Sequence, residues 1–314
     1  MSVNDGEIAI SARGLVRRFG SVTAVKGVDL TVRRGEIFGL VGPDGAGKTT
    51  ILRMLAGVLP PDAGKIHLAG IDVVANADAV RERLSYMPQR FGLYDDLTVS
   101  ENIFFYAMLF GVPAKIRRER TPELLEAAGL GSFRRRLAGQ LSGGMKQKLG
   151  LVCALIHTPQ VLLLDEPTTG VDPVSRRDFW EILYRLREEG VTILLSTAYM
   201  DEAERCSRLA LIDAGALRTC DTPARLKEAM PGVLLAVVTP EARTAYGALE
   251  GAPGVLGLLL MGDRVNVRVD DAERRLPELK ERLAQSGIGR VEIAVIEPGI
   301  EDVFVALSGS GGTA

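Results

Sequence analysis

Ile37-Phe38-Gly39-Leu40-Val41-Gly42-Pro43-Asp44-Gly45-Ala46-Gly47-Lys48-Thr49-Thr50 decides the fold. It reads as a short apolar strand, a glycine-rich loop and the first turn of a helix that begins at Lys48. Gly42, Gly47, Lys48 and Thr49 satisfy G-x-x-x-x-G-K-[ST], a loop whose backbone N–H groups cradle phosphate. A helix N-terminus carries partial positive charge and unpaired amides, and both favour an anion. Side chains at the glycine positions would block that approach or forbid the backbone angles. Lys48 reaches β- and γ-phosphates as a point charge, and the Thr49 hydroxyl offers one position to Mg²⁺.

Downstream, Val161-Leu162-Leu163-Leu164-Asp165-Glu166-Pro167 is the partner signal. A continuous apolar run suits a strand buried on both faces of a parallel sheet. Its C-terminal end is where open α/β sheets place working groups, and two carboxylates stand there. Asp165 suits Mg²⁺, held through water, and Glu166 suits polarising a water that attacks a γ-phosphate. Between the two signals lie Tyr86-Met87-Pro88-Gln89, a strand that Pro88 stops, and a mainly helical stretch over 98–138. Thr98-Val99-Ser100-Glu101 opens the first helix with a capping-box pattern, and Thr121-Pro122-Glu123 opens another. Leu141-Ser142-Gly143-Gly144-Met145 precedes a helix from Met145 to about His157, with Ser142 placed as N-cap and two glycines leaving the amides open. Arg117-Arg118, Arg120 and Arg134-Arg135-Arg136 are either solvated faces or contacts for lipid headgroups or an acidic surface.

Residues 7–34 read as two or three half-buried antiparallel strands, and Lys65 to Leu68 as another. Phe19, at their turn, is either a core aromatic or a platform for a nucleotide base. Beyond Asp165, Asp172-Pro173 starts a helix running to Glu189, with Trp180 as packing. Val191 to Leu195 is a buried strand ending in Ser196-Thr197-Ala198-Tyr199, and Leu209 to Asp213 is a further strand. A break at Ala229-Met230-Pro231-Gly232 precedes a βαββαβ order over 233–296, the pattern of a split βαβ, ferredoxin-like domain. Ile300 to Leu307 adds a final helix, and 308–314 reads as a flexible tail.

At 314 residues the chain has room for two domains. Its net charge of −2 is unlike that of a chain living on nucleic acid. Three dispersed cysteines favour a reducing compartment over a disulfide framework, and no apolar run nears the roughly 18 residues that span a bilayer. The polar, acidic N-terminus is not a signal peptide. His67 and His157, the only histidines, are read as structural.

Gly42–Thr49, Gln89, Leu141–Met145, Val161–Glu166 and the Gly170-Val171-Asp172 turn resemble, in order and spacing, the nucleotide-binding subunit of ABC transporters. The resemblance covers about the first 225 residues. The wording Leu141-Ser142-Gly143-Gly144-Met145-Lys146-Gln147-Lys148-Leu149-Gly150 looks like bacterial exporter-type ATPases and is similar to the first half of a fused two-ATPase exporter subunit. The ending Ile300-Glu301-Asp302-Val303-Phe304 is similar to drug- and polymer-export ATPases with a C-terminal accessory domain.

The resemblance implies a P-loop ABC ATPase domain over 1–229, with a helical subdomain near 90–155, and an accessory α+β domain over 233–307. It implies that Gly42, Pro43, Asp44, Gly45, Ala46, Gly47, Lys48, Thr49 and Thr50 hold ATP, and that Phe19 stacks on adenine. Gln89 would contact Mg²⁺ or the attacking water, alongside Thr49 and Asp165, with Glu166 as base. Ser142, Gly143 and Gly144 would bind the γ-phosphate held by a second ATP-binding chain, whether a copy or a different partner. Asp172 would lie at that seam. The helical segment would grip an integral membrane permease, holding the protein peripherally on the cytoplasmic face of the cell membrane.

Two positions depart from the family. Ala198 stands where a histidine usually contacts the γ-phosphate. Losing one transition-state donor costs roughly 3–4 kcal/mol in comparable enzymes, so slowed hydrolysis is expected. Asp44 stands where asparagine is common. It would weaken nucleotide binding if it faced the ligand, and do little if it faced solvent.

Overall fold

The computed structural model describes residues 8–308. The chain divides into two compact units after Cys220, ahead of the boundary expected at 229. In the first unit, β1 (Ile8–Phe19) and β2 (Val22–Arg33) form an antiparallel pair. Then come β3 (Ile37–Val41), α1 (Lys48–Leu55), β4 (Ala63–Leu68), β5 (Ile71–Asp72), α2 (Ala77–Arg81) and β6 (Leu84–Met87). A helical stretch follows, with α3 (Val99–Leu109), α4 (Ala114–Ala127) and α5 (Gly143–Leu155). The unit closes with β7 (Val161–Asp165), α6 (Pro173–Glu188), β8 (Thr192–Thr197), α7 (Met200–Ala203), β9 (Arg208–Asp213) and β10 (Ala216–Asp221).

The strands make a four-stranded antiparallel sheet, ordered β2-β1-β4-β5, and a six-stranded sheet, ordered β10-β9-β3-β8-β7-β6. In the larger sheet β9, β3, β8, β7 and β6 run parallel. Their apolar runs divide alternately between two cores, as the period-2 geometry of strands requires. Leu163, Leu194, Phe38 and Leu40 join α1 and the antiparallel sheet on one face. Leu162, Leu164, Ile193 and Leu195 join α3, α5 and α6 on the other. Because the strands are parallel, Val41, Thr197, Asp165 and Met87 all end at one edge. That edge carries the site.

The helices differ from expectation in two starts. α4 begins at Ala114, with Pro122 inside it, rather than at Thr121. The proline's missing N–H leaves the Arg118 carbonyl without its helical donor, but Arg118 lies on the exposed face of α4, where water can take that place, and the helix continues. α5 begins at Gly143 rather than Met145, because the Ser142 hydroxyl accepts from Met145 N and caps the two glycines into the first turn. The Thr98–Glu101 capping box is present at α3.

The second unit holds α8 (Pro223–Glu228), β11 (Val233–Val238), α9 (Ala242–Leu249), β12 (Val255–Met261), β13 (Arg264–Val269), α10 (Ala272–Gln285), β14 (Glu292–Ile296) and α11 (Ile300–Ser308). Its sheet is antiparallel and ordered β12-β13-β11-β14, the split βαβ arrangement. Leu235, Val237, Val265 and Val267 pack against α9 and α10 as a separate core. Ser308, expected in the tail, closes α11, and the rest of that tail lies outside the described residues. The short elements β5, β10 and α8 were not anticipated.

Candidate functional site

The loop from Gly42 to Gly47 leaves β3 and delivers Lys48 as the first residue of α1. Gly47 adopts a φ of 99°, a left-handed conformation that side chains resist, and an added Cβ would lie 2.5 Å from the Ala24 carbonyl oxygen. A Cβ at Gly42 would collide with the Ile212 carbonyl oxygen. The glycines are therefore also demanded by the backbone packed behind the loop. Lys48 is buried, and its Nζ donates to Gly42 O at 2.8 Å and Pro43 O at 3.0 Å. Glu166 Oε1 lies 3.1 Å from the same ammonium. Asp44 is nearly fully exposed, at 4.0 Å from Lys48 Nζ, so it faces solvent.

Asp165 is 1% exposed and fully engaged. Thr49 Oγ1 and Ser196 Oγ donate to its Oδ1 at 3.0 and 2.7 Å, and Tyr86 OH donates to its Oδ2 at 3.2 Å. Burial and the Asp165 charge push the Tyr86 hydroxyl up to about 12, so it stays a donor at neutral pH. Glu166 has a φ of 47° and is held there by Ser196, whose Oγ and carbonyl oxygen accept from Glu166 N. Gln89 Nε2 donates to Glu166 Oε2 at 3.0 Å. Thus Lys48, Thr49, Asp165, Glu166 and Gln89, expected separately from the sequence, meet at one place. Ser196 and Tyr86 complete the arrangement and carried no signal as site residues.

The remaining expected residues stand elsewhere. Phe19 is 48% exposed beneath the Arg17 guanidinium, so it is not a core aromatic. Ala198 is exposed at the end of β8. Ser142, Gly143 and Gly144 have no hydrogen bond to the phosphate loop of their own chain among the described residues. Gly143 is open, whereas a Cβ at Gly144 would lie 2.5 Å from Ser175. Gly144 is thus required by the crossing of α5 over α6, beyond any role toward an anion. Asp172 caps α6 by accepting from Ser175 N, and that bond lowers its carboxyl below the ordinary value. His157 Nε2 donates to Leu84 O at 3.2 Å and the ring stacks on Phe110; burial lowers its pKa.

A family model described as ABC transporter matches residues 25–169. The probable multidrug ABC transporter ATP-binding protein YbhF of Escherichia coli (strain K12) is 42% identical across 99% of this chain and 54% of its own length. The daunorubicin resistance ATP-binding protein DrrA3 of Streptomyces coeruleorubidus is 37% identical across 96% of both chains. This chain belongs to the ABC transporter ATP-binding family. The chain spans about half the length of the first of these relatives. A solved dimer of an ATP-binding cassette, in a post-hydrolysis state with ADP and phosphate, shares 25% identity and superposes with a TM-score of 0.62. It covers 68% of this chain and 98% of that one. The ABC ATPase fold thus accounts for the first unit, and no helix among the described residues is long and apolar enough to cross a membrane.

Proposed function

We propose that this ABC ATPase binds and hydrolyses ATP to drive export through a separate membrane permease. The observation that carries the reading is the convergence of Lys48, Thr49, Asp165, Glu166 and Gln89 at one sheet edge. Lys48 and the open amides at α1 bind the β- and γ-phosphates. The hard oxygen donors Thr49 and Asp165, already 3.0 Å apart, fit Mg²⁺, with Gln89 alongside. A magnesium ion held there would neutralise charge on the phosphates. Glu166 polarises the water that attacks the γ-phosphorus, the β–γ bridging bond breaks, and ADP and phosphate leave. Phe19, exposed and at the sheet margin, stacks on adenine.

Ser142 and Gly143 face outward, which supports a role toward ATP on a second chain, identical or different. The solved dimer of a related cassette lends that reading weight. Phe104, Phe105, Met108 and Leu109 on α3 form an exposed apolar patch. Beside it runs a groove of about 650 Å³, apolar at Ala56, Val58, Leu84, Leu109 and Phe110 and polar at Arg81, Glu82 and Tyr86. Patch and groove together suit an amphipathic segment of a permease, which would hold the ABC ATPase at the cytoplasmic membrane face.

Ala198 favours a second reading, a regulatory half whose turnover depends on a competent partner. A methyl group cannot donate to the γ-phosphate, so hydrolysis by this chain is slow. ATPase assays separate the two readings. Glu166→Gln should abolish turnover while ATP still binds; persistent activity would assign the base elsewhere. Ala198→His should raise kcat, and a fast wild type unimproved by histidine sinks the slowed-site reading.

A further inference from the structure

Glu202 is a carboxylate at 1% exposure that the chemistry above does not use. It projects from α7 and accepts three hydrogen bonds from three different segments. Thr168 Oγ1 donates to Oε1 in a short contact, Trp180 Nε1 donates to Oε1 at 3.3 Å, and Thr197 Oγ1 donates to Oε2 at 2.7 Å. Arg176 Nε lies 3.8 Å from Oε1 and supplies the nearby positive charge that a buried carboxylate needs. Thr168 stands two residues beyond Glu166. Thr197 precedes Ala198, and its hydroxyl also accepts from Tyr199 N at 3.0 Å. The Thr197 carbonyl oxygen accepts in turn from Gly42 N at 3.3 Å. One side chain therefore ties the turn bearing Glu166, the turn bearing Ala198 and α6, with the phosphate loop one bond away.

The backbone at Glu166 makes that tie consequential. Its φ of 47° is unusual for a residue with a side chain and persists only where the surroundings over-determine it. Ser196 fixes the amide of Glu166 from one side. Thr168, anchored on Glu202, fixes the turn from the other. The position after Thr197 carries no side chain able to grip a phosphate, so the 196–199 turn takes its placement from contacts within the protein: Glu202 and Gly42 at Thr197, Asp165 and Glu166 at Ser196, and Arg176 at Tyr199.

We infer that Glu202 is a positioning residue for hydrolysis, holding the Glu166 turn and the Ala198 turn in register with the phosphate loop. The inference rests on the reading of Glu166 as the base. Lys48 and the loop amides are not bonded to Glu202, so nucleotide affinity is separable from turnover.

The test uses the full chain and measures ATPase kcat and KM, together with thermal stability. Glu202→Ala should lower kcat by about 10- to 100-fold, the range expected for an approximately 1 Å misplacement, with KM for ATP little changed. Thr168→Val, which deletes one hydroxyl at nearly constant volume, should lower kcat in the same sense while the fold stays intact. Glu202→Gln should restore most of the rate. Its amide oxygen still accepts from Thr168 and Trp180, and its NH₂ can donate to Thr197 Oγ1. Trp180 is the chain's one tryptophan, so its emission reports whether each variant keeps this corner folded. Wild-type kcat in both Glu202→Ala and Thr168→Val overturns the inference. So does a Glu202→Ala defect that follows lost stability while Thr168→Val is normal, or a Glu202→Gln as impaired as Glu202→Ala. A wild-type chain without turnover overturns the functional reading instead, and this inference with it.

Discussion

An added Cβ at Gly144 would come within 2.5 Å of both Cβ and Oγ of Ser175, whereas at Gly143 the nearest atom is the Gly170 carbonyl oxygen, 3.9 Å away. Ser175 is fixed in the first turn of α6, so it cannot yield as a long side chain would. Replacing glycine by alanine in a helix gains up to about 1 kcal/mol, and overpacking costs about 1–3 kcal/mol. Gly143→Ala should therefore leave stability unchanged or raised, and Gly144→Ala should lower it by up to about 2 kcal/mol, as read by urea unfolding. Changes of the same sign in both would contradict the packing account. The sequence offers two identical letters here, and only the crossing of α5 and α6 tells them apart. Lys48, Thr49 and Glu166 are legible because their motifs are local. Ser196, Tyr86 and Glu202 are not, because their meaning comes from partners 31, 79 and 34 residues away.

At the scale of elements, buried strands were the easiest to read. The runs at β3, β7 and β8 are apolar because Ile37, Leu162, Leu164, Ile193 and Leu195 face one core and Phe38, Leu40, Val161, Leu163 and Leu194 the other. α4 misled because Thr121-Pro122-Glu123 has the composition of a helix start, yet the proline sits where solvent can reach the carbonyl it leaves unpaired. In the second unit, the join of β13 to α10 depends on charge. The Arg275 guanidinium donates twice to Asp270, at 2.8 Å each, and holds its carboxyl down to about 2. A carboxyl lowered on folding adds stability that is complete above its ordinary value of 3.8 and lost as pH falls through about 2. Asp270→Asn should therefore be less stable than wild type at neutral pH, and the gap should close between those two values. Chemical denaturation at stepped pH measures it; a constant gap would show that the pair is not coupled to folding.

For the whole molecule, every residue assigned to the nucleotide site lies before Cys220, and each unit has its own core. Independent cores are the mark of independently folding units. A chain ended after Asp221 should bind a fluorescent ATP analogue as tightly as the full chain; loss of binding in a folded fragment would show that the second unit contributes to the site. The sequence leads one to expect a second domain from the break at Ala229-Met230-Pro231-Gly232 and the βαββαβ order after it, whereas the chain divides after Cys220. The division itself leaves little trace in the sequence, because β10 and α8 are short and carry no strong periodicity.

The ion pair between Lys48 and Glu166 has a consequence for which solutes the phosphate loop accepts. At rest the ammonium already has a carboxylate partner at 3.1 Å, and Asp165 adds a second carboxylate to the same site, so an incoming anion meets no unpaired positive charge from Lys48. A singly charged solute gains nothing by replacing one carboxylate with another anion. A solute with several adjoining charges outbids the carboxylate, takes the lysine and sets Glu166 free in the same exchange. The resting contact is thus expected to act as a threshold on charge, favouring polyphosphates over singly charged acids.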